Sequence, residues 1–521
     1  MTDIRPRHES IWPVAFIVGV AVALRLAALL TNAQASAYVH PTFDEAVYVG
    51  GAWLTSHGSV PYRDFVYVFP PGFLMILTPI VGVSSGFGGI GAAVWTVRVV
   101  SVLVGGTNTY LVGRLGHRWM GRAGGLLAAA LYATTATVVH VEAAVLQEPF
   151  VNLAVVLAAW LWLGTASPTR RARAAVGLLI GTAIAVKIVA GFFLIPVLVI
   201  GAYRRPLRDR IAMVGAAAVP LVVSGTGFGA VAGWTAVWRQ VVVAQLNRPP
   251  DGMGLSRVES MLPNLHDVVA LAGGEQLGLA WVAVGLFSVM CAGALLLGGE
   301  PGRFWGLTGG IGVAVFLASP SYYEHYGVML APSVSLVLAW CAVRLVSGAV
   351  ATRGSARSRG SVLTFAAVSL VVVVLAGDTV VSLSPVKSDA MVTMVKRAVA
   401  PGQCVFAVRV QWLIAANEVP VATADGRRLL DIYGVELLAA ADAATRPRTI
   451  TAARNLPSVQ QAILSHSREC RYSLLVDRQC RGRDRDMTTA TQRSIVAAST
   501  LVSRTKCAAL YRRRRPVART G

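Results

Sequence analysis

The sequence predicts an all-α polytopic membrane protein with about 11 transmembrane helices, followed by a small extracytoplasmic α/β domain. Two observations indicate this fold class. Of 521 residues, 55% are hydrophobic and only 14% are charged, whereas soluble domains carry roughly 25% charged residues. The formal net charge is nevertheless +22, and the basic residues lie between long apolar runs. This composition excludes a soluble nucleic-acid-binding domain, a disordered chain, a coiled coil and a small disulfide scaffold.

Apolar runs long enough to cross a bilayer recur along residues 1–383, since a helix needs about 20 residues to span the hydrocarbon core. The predicted spans are 11–31, 91–113, 123–140, 148–165, 174–187, 189–203, 211–232, 278–298, 305–319, 327–347 and 361–383. The apolar run 73–83 is too short to cross and is interpreted as a juxtamembrane or re-entrant helix. The stretch 174–203 has arginine clusters at both ends, so it is interpreted as two short helices that meet near Lys187.

The distribution of basic residues orients the chain. Arg5 and Arg7 precede the first span and place the N-terminus in the cytoplasm by the positive-inside rule. An odd number of spans then places residues 384–521 outside, in a multi-pass protein of the plasma (inner) membrane. Loops assigned to the cytoplasm hold 17 of the 47 Lys and Arg residues, against six in the outer loops and span ends, which supports the assignment.

Residues 384–521 differ in kind from the rest of the chain. They combine strand-like runs, 404–410 and 472–476, with helical runs, 429–440 and 492–511. This mixture predicts the small α/β domain. A basic tip follows at 511–515. The four cysteines Cys404, Cys470, Cys480 and Cys507 allow three disulfide pairings, or free thiols.

Candidate catalytic carboxylates lie in the first outer loop, residues 32–71. Asp44 and Glu45 are adjacent and begin an amphipathic run that can lie along the membrane surface. Either carboxylate can act as a general base, although the pair can equally be an N-cap and a first-turn acid of a helix. The same loop holds Arg63 and Tyr67.

Three further charged residues lie in or beside apolar spans. Glu148 precedes a proline at the outer mouth of the fourth span, where a purely structural first-turn role is equally plausible. Lys187 stands alone in an apolar run; a lysine at membrane depth is a functional candidate, with snorkelling to the interface as the alternative. Arg248 lies in a long outer loop, and arginine suits a bidentate phosphate contact.

The segment 319–326 between two spans adds Glu324, His325 and Tyr326. An aromatic belt would account for its tyrosines but not for Glu324 and His325. All these polar side chains converge on the predicted outer face. Such a site suits a lipid-anchored anionic substrate, because cations hold a phosphate while a carboxylate acts as the base.

The order and spacing of these motifs resemble the GT-C superfamily of membrane glycosyltransferases, in particular the branch of protein O-mannosyltransferases and the lipid A aminoarabinose transferase. The resemblance covers about residues 11–335. The matching motifs are Asp44-Glu45, Pro70-Pro71, Arg98, Gly113-Arg114 with Gly121-Arg122, Glu148, Gly181 through Lys187, and His325-Tyr326. The chain departs from some relatives at Phe69, where they have a phosphate-contacting lysine, and at Glu148, where close relatives often have aspartate.

The resemblance implies a GT-C-like transmembrane domain over 1–383 and an inverting transferase. It would move a sugar of the mannose or arabinose class from a polyprenyl-phosphate donor to an envelope glycan, glycolipid or protein at the outer face. The implied site comprises the catalytic acids Asp44 (the base), Glu45 and Glu148; the phosphate ligands Lys187, Arg248 and Arg63; and the substrate-binding residues His325, Tyr326, Glu324 and Tyr67. Some branches bind a divalent metal, for which Asp44, Glu45 and His325 would be the ligands here.

Two other functions remain open from the sequence. A transporter or lipid-linked-sugar flippase also has polar residues in its spans, but it typically shows internal repeats and mid-membrane polar sites, and no repeat is evident. A non-catalytic envelope-assembly scaffold would place the working part in residues 384–521. The sequence does not specify the sugar, the acceptor or the polyprenol length, and it indicates no nucleic-acid partner.

Overall fold

The computed structural model of the chain describes residues 12–33, 42–163, 169–204, 207–263, 277–351, 390–400, 403–444, 446–476 and 486–514. The predicted span at 361–383, Cys480 and the end of the basic tip lie outside these residues.

Helices make up most of the described chain. The first fifteen are α1 (Trp12–Ala33), α2 (Phe43–Ser56), α3 (Pro71–Ser85), α4 (Gly89–Thr134), α5 (Ala136–Glu142), α6 (Glu148–Leu163), α7 (Arg170–Val186), α8 (Leu194–Arg204), α9 (Leu207–Ala232), α10 (Trp234–Trp238), α11 (Ala244–Leu246), α12 (Arg257–Met261), α13 (Leu277–Leu297), α14 (Gly299–Ala318) and α15 (Ala331–Ala351). The C-terminal part adds α16 (Ala390–Ala398), α17 (Val410–Ala415), α18 (Ile432–Asp442), α19 (Ile450–Arg454), α20 (Pro457–Glu469) and α21 (Thr489–Ala497). Two 3₁₀ helices, Ile188–Phe193 and Glu324–Leu330, and a π-helical turn, Arg239–Val243, join neighbouring helices.

Within the described residues, five helical segments are long and apolar enough to cross a membrane. They lie in α1, α4, α9, α13 and the unit formed by Glu324–Leu330 with α15. The apolar helices α3, α6 and the stretch Ile188–Ile200 are shorter. The number of about 11 spans therefore remains a prediction. The short helix expected at 73–83 is α3.

The predicted loop between the spans 91–113 and 123–140 is a sharp break inside α4. Gly121 has φ 77° and ψ −173° there, a conformation that favours glycine. The two arms of α4 then pack against each other: a Cβ atom at Gly125 would lie 2.7 Å from the carbonyl oxygen of Gly113. The glycines of this turn thus serve close packing of the two arms.

The predicted break near Lys187 is confirmed. Helix α7 ends at Val186, and Lys187 adopts an extended conformation with φ −146° and ψ 115°. The chain then continues as the 3₁₀ helix Ile188–Phe193 into α8. The lysine therefore lies at a junction of helices instead of inside one span.

The C-terminal part contains a four-stranded sheet. Its strands are β3 (Val405–Phe406), β4 (Tyr472–Val476), β5 (Ser499–Arg504) and β6 (Ala508–Arg513), in the order β3-β4-β6-β5. Within this sheet β3 pairs with β4 in parallel, whereas the β4–β6 and β5–β6 pairings are antiparallel. A disulfide joins Cys404 to Cys470, and Cys507 is also disulfide-bonded.

Two local expectations for this part need correction. The run 492–511 is not one helix, because α21 ends at Ala497 and the chain returns as the hairpin β5–β6. Within this run, β6 pairs with the central strand β4, which is buried along its length. This pairing stabilises a strand where the local sequence pattern favours a helix. The strand expected over 404–410 is confined to Val405–Phe406.

The C-terminal part packs directly on α2. Val410, Ile414 and Leu430 belong to the same buried apolar cluster as the inner face of α2 and the membrane-type helices. A Cβ atom on Gly50 of α2 would lie 2.8 Å from the Leu430 side chain. This packing places the C-terminal part over the N-terminus of α2.

Candidate functional site

Asp44 and Glu45, the two adjacent carboxylates of the first loop, have different partners at the N-terminus of α2. Thr42 caps the helix: its hydroxyl accepts from the Glu45 N–H at 3.3 Å, and the Glu45 carboxylate accepts from the Thr42 N–H at 3.2 Å. Glu45 is fully buried and also binds the Arg98 guanidinium, at 2.5 and 2.6 Å, and the Val145 N–H, at 3.0 Å. These contacts use both oxygens of Glu45 and leave Asp44 as the carboxylate that lines the cavity described below.

Asp44 lies one residue before Glu45 and faces His325. Its side chain is 32% exposed, and His325 Nε2 lies 3.6 Å from Asp44 Oδ2. The same nitrogen lies 3.8 Å from Glu148 Oε1, so His325 bridges two acids from different elements. The alternative that Asp44 is the N-cap is wrong, because Thr42 holds that position.

Lys187 and Glu148 form a buried ion pair. Lys187 Nζ also lies 3.7 Å from the centre of the Tyr326 ring, a cation–π contact. The lysine is 8% exposed, so it does not snorkel to an interface. Gln147 donates to the Val186 carbonyl at 2.8 Å and fixes the start of α6 to the end of α7. Glu148 Oε2 is buried and has no hydrogen-bond partner within the described residues.

Arg248 is held by tyrosines. Its Nε donates to the Tyr433 hydroxyl at 3.0 Å, and its guanidinium lies 5.7 Å from the Tyr323 ring centre. Asp251 accepts hydrogen bonds from both tyrosine hydroxyls. Burial raises the pKa of Asp251, but these hydrogen bonds outweigh it and hold the pKa below its usual range. In the described part of the chain, no carboxylate oxygen lies within 4.0 Å of the Arg248 guanidinium nitrogens.

A short parallel pairing joins the Arg248 loop to the His325 segment. Strand β1 (Asp251–Gly252) pairs with β2 (Ser321–Tyr322). Gly252 has φ 82°, and a Cβ atom there would lie 2.0 Å from the Tyr322 carbonyl oxygen. Only glycine allows this approach.

Two adjoining cavities meet at Arg248 and Tyr326. The main cavity, of about 400 Å³, is lined on one side by Asp44, Tyr48 and His325, and on the other by Tyr433, Arg409, Arg454 and Asp486. The side cavity, of about 170 Å³, is lined by Lys187, Gln147, Ile188, Phe69 and Phe316 among others. The first loop, the residues just before α6 and just after α7, the Glu324–Leu330 helix and the C-terminal part thus line two adjoining cavities.

Five residues predicted for the site line neither cavity. Glu148 contacts Lys187 and His325, which do line them; the other four are Glu45, Arg63, Tyr67 and Glu324. Glu45 faces α4. Arg63 is 55% exposed and pairs with Asp64 at 2.7 Å. Tyr67 is fully buried among other aromatic rings. Glu324 is exposed beside His325. The structure therefore does not bring these four into the same space as Asp44, Lys187 and Arg248.

The candidate metal ligands do not come together. Within the described residues, no group of three His, Cys, Asp or Glu side chains is arranged to hold a metal ion. Asp44 and His325 approach each other, but Glu45 is bound by Arg98 on the other side of α2. The proposed donor set therefore does not fit a metal.

Sequence reasoning missed the wall that the C-terminal part adds to the main cavity. Tyr433, Arg409, Arg454 and Asp486 are far apart in sequence and belong to no shared motif. Their only sequence signal is the surplus of basic residues in 384–521.

Asp431, which caps α18 next to Tyr433, should make stability pH-dependent. Its Oδ1 accepts from the Gly434 N–H at 2.9 Å, while burial raises its pKa to about 7. A free aspartate titrates near about 3.9, so the folded state binds more protons between these values and stability falls as pH rises through that window. We expect Asp431→Asn to raise the apparent Tm above about pH 7 and to leave it unchanged near about pH 4. Equal Tm shifts at both pH values in thermal unfolding of the full chain would contradict this.

Comparisons with known proteins agree with this architecture. The family model of dolichyl-phosphate-mannose-protein mannosyltransferases matches residues 85–226. ArnT from Cupriavidus metallidurans, solved bound to undecaprenyl phosphate, has a TM-score of 0.57 and 14% identity, covering 96% of this chain and 97% of that chain. The oligosaccharyltransferase AglB from Archaeoglobus fulgidus, in complex with an inhibitory peptide and a dolichol-phosphate, has a TM-score of 0.50 and 12% identity, covering 89% of this chain and 70% of that chain. No curated protein sequence matches the chain.

The chain thus has the fold of GT-C membrane glycosyltransferases and is similar to their mannosyltransferase and ArnT branch. The resemblance predicted from the sequence motifs is confirmed, and the fold is that of a multi-pass membrane protein.

Proposed function

We propose that the protein is an inverting glycosyltransferase that moves a monosaccharide from a polyprenyl-phosphate donor to a hydroxyl of a cell-envelope acceptor. One observation carries the proposal: Asp44, His325, Lys187 and Arg248 line two adjoining cavities, and Glu148 contacts Lys187 and His325 from behind the lining. This reaction needs a base to deprotonate the acceptor hydroxyl and cations nearby to stabilise the leaving phosphate. The solved ArnT structure, which contains undecaprenyl phosphate, supports a lipid-linked donor.

The donor phosphate fits best beside Arg248, where the two cavities meet. Arg248 has hydroxyl and aromatic partners but, in the described part of the chain, no carboxylate at ion-pair distance, so its charge is available to an anion. Lys187 contributes on the other side of the side cavity, although Glu148 balances part of its charge. Ile188 lines the same cavity and is 47% exposed, which offers an apolar path for the lipid tail.

The chemistry is a single displacement. A carboxylate oxygen of Asp44 removes the proton of the acceptor hydroxyl as that oxygen forms a bond to the anomeric carbon. The bond between the anomeric carbon and the phosphate oxygen breaks on the opposite face, which inverts the configuration. The polyprenyl phosphate leaves with the electron pair, and Arg248 and Lys187 stabilise its charge. His325, 3.6 Å from Asp44, orients the base.

The reaction would take place at the outer face of the plasma membrane. The Cys404–Cys470 disulfide supports an oxidising compartment for the C-terminal part. The arginines of the loops assigned inside support a cytoplasmic N-terminus. We assign residues 1–383 to the transmembrane domain and 384–521 to an extracytoplasmic domain.

A transfer assay tests the function. Purified full-length protein in lipid vesicles would receive radiolabelled polyprenyl-phosphate mannose or arabinose and an envelope extract from cells that lack the protein. We expect label in an envelope product with inverted anomeric configuration, determined by NMR. Movement of intact donor across the vesicle membrane, without cleavage of the sugar–phosphate bond, would instead identify a flippase.

The two arginines predicted to bind phosphate should differ sharply. Arg248→Gln is expected to lower kcat by about 100-fold, the usual effect of removing one group that stabilises a developing anion. Arg63→Gln serves as the matched control and should retain near-normal kcat, because Arg63 is 55% exposed and paired with Asp64. Both rates are measured with saturating donor. A larger loss in Arg63→Gln than in Arg248→Gln would overturn the placement of the phosphate.

A further inference from the structure

The main cavity extends past Asp44 to a wall built by the C-terminal part of the chain. This cationic wall consists of Arg409, just before α17, Arg454, at the end of α19, and Asp486. The Arg409 guanidinium also lies 5.7 Å from the ring centre of Phe43, the residue that precedes Asp44. Both arginines therefore border the space that Asp44 faces.

Acids from other elements fix the two arginines in place. Arg409 binds Asp486 through two hydrogen bonds, of 2.7 and 3.2 Å. Arg454 Nε lies 3.2 Å from Glu436 and 3.3 Å from Asp486. The described hydrogen bonds of Arg454 use only Nε, so its two terminal nitrogens retain donors for a ligand. An arginine held in place in this way loses little freedom when it binds.

In the wall, two guanidinium groups share one carboxylate, that of Asp486. The second acid, Glu436, lies behind Arg454, and burial raises its pKa to about 9, which lowers its negative charge at neutral pH. Arg409 and Arg454 keep 21% and 16% of their side-chain surface exposed. An ion-pair network with a purely structural role would not need to line a cavity.

We propose that the cationic wall binds a phosphate or carboxylate group of the acceptor saccharide and so places the acceptor hydroxyl at Asp44. The proposal rests on the proposed transferase function and specifies its acceptor. The guanidinium fork matches the geometry of both anions, and a cavity of about 400 Å³ is in the size range of small-molecule sites. Glycolipids and water-soluble glycans can both carry such a group.

A direct binding experiment tests the proposed acceptor site without requiring sugar transfer. Full-length Asp44→Asn protein, with its donor site saturated with undecaprenyl phosphate, would be titrated with mannose 6-phosphate and with mannose by saturation-transfer NMR. We expect mannose 6-phosphate to bind about tenfold or more tightly than mannose, because hydrogen bonds to a charged group are among the strong ones. Equal affinity for the two sugars would overturn the proposal.

Four substitutions in the same background locate the anion. Arg454→Gln should reduce the affinity for mannose 6-phosphate to that for mannose, and Arg454→Lys should retain part of the preference because it keeps the charge. Arg427→Gln is the control, since Arg427 is 72% exposed and outside the main cavity. Loss of the preference in Arg248→Gln but not in Arg454→Gln would place the anion in the donor site and overturn the proposal.

The transfer assay then identifies the source of the anion. With wild-type protein, the labelled product should bind an anion-exchange column, and partition between chloroform–methanol and water separates a glycolipid from a glycan. Arg454→Gln should raise the KM for acceptor while donor hydrolysis by water stays within about twofold, since the phosphate contacts are intact. A neutral product, or a labelled protein without an anionic glycan, would overturn the acceptor assignment. Absence of any donor cleavage would count against the transferase function and leave the binding result standing.

Discussion

Asp44→Asn is expected to lower the rate of sugar transfer by about 10³-fold, within the range that a general base contributes. The amide has the size of the carboxylate but cannot take up the acceptor proton. The fold should survive the change, because Thr42 and Glu45 form the capping box of α2 and Asp44 has no part in it. The 3.6 Å approach of His325 can also persist. The rate is measured from radiolabelled donor with full-length protein in vesicles.

The control for this substitution is Asp442→Asn. Asp442 is 53% exposed and pairs with the equally exposed Arg239, and exposed pairs contribute little to stability. Its rate should remain close to that of the wild type. If Asp44→Asn transferred sugar at the control rate, Asp44 would not be the base and the displacement mechanism would fail.

The candidate site could be predicted where a polar residue interrupts an apolar run. Lys187 stands out for this reason, because an ionisable side chain at membrane depth is costly unless it is used or paired. Glu148 at the mouth of a span and His325 between two spans stand out less, and a structural role was as plausible for each. The structure brings all three together with Asp44. It also shows why Lys187 lies apart from the helices around it, since α7 ends one residue earlier.

The family resemblance implied Asp44 as the base, but the residues alone did not choose between Asp44 and Glu45. Adjacent residues on a helix point in directions about 100° apart, so the two carboxylates have different neighbours and one can be bound away from the cavity. Which one is bound in this way is decided by Arg98, which lies 53 positions along the chain and binds Glu45. Arg63 and Arg248 were both predicted as phosphate ligands. The structure shows that Arg63 pairs with its neighbour Asp64, whereas Arg248 binds Tyr433, 185 positions along the chain.

The C-terminal part shows the same limit for secondary structure. The helical pattern over 492–511 competes with pairing to β4, and only the folded sheet decides between them. Similarly, Arg409 and Arg454 reach the main cavity because α17 and Leu430 pack on α2. The composition of residues 384–521 shows an excess of basic side chains, but it does not show where Arg409 and Arg454 lie.

The buried pair of Glu45 and Arg98 carries the largest expected effect on stability. Arg98→Met removes the cation and leaves the Glu45 carboxylate buried without its charged partner, which typically costs about 3–5 kcal/mol. We expect a large drop in the apparent Tm of the full chain in detergent. Transfer should fall with it, because Glu45 also caps α2 and the loss of its anchor releases the turn that carries Asp44.

The double substitution Arg98→Met with Glu45→Gln separates charge from packing. The amide that Glu45→Gln introduces is neutral, and its oxygen could still accept the Thr42 N–H, so the double variant should recover most of the Tm lost in Arg98→Met. Recovery of Tm without recovery of transfer would show that the ion pair also sets the position of Asp44. A double variant less stable than Arg98→Met alone would mean that the buried charge of Glu45 is not the source of the loss, and the assignment of this pair as the anchor of the site would be wrong.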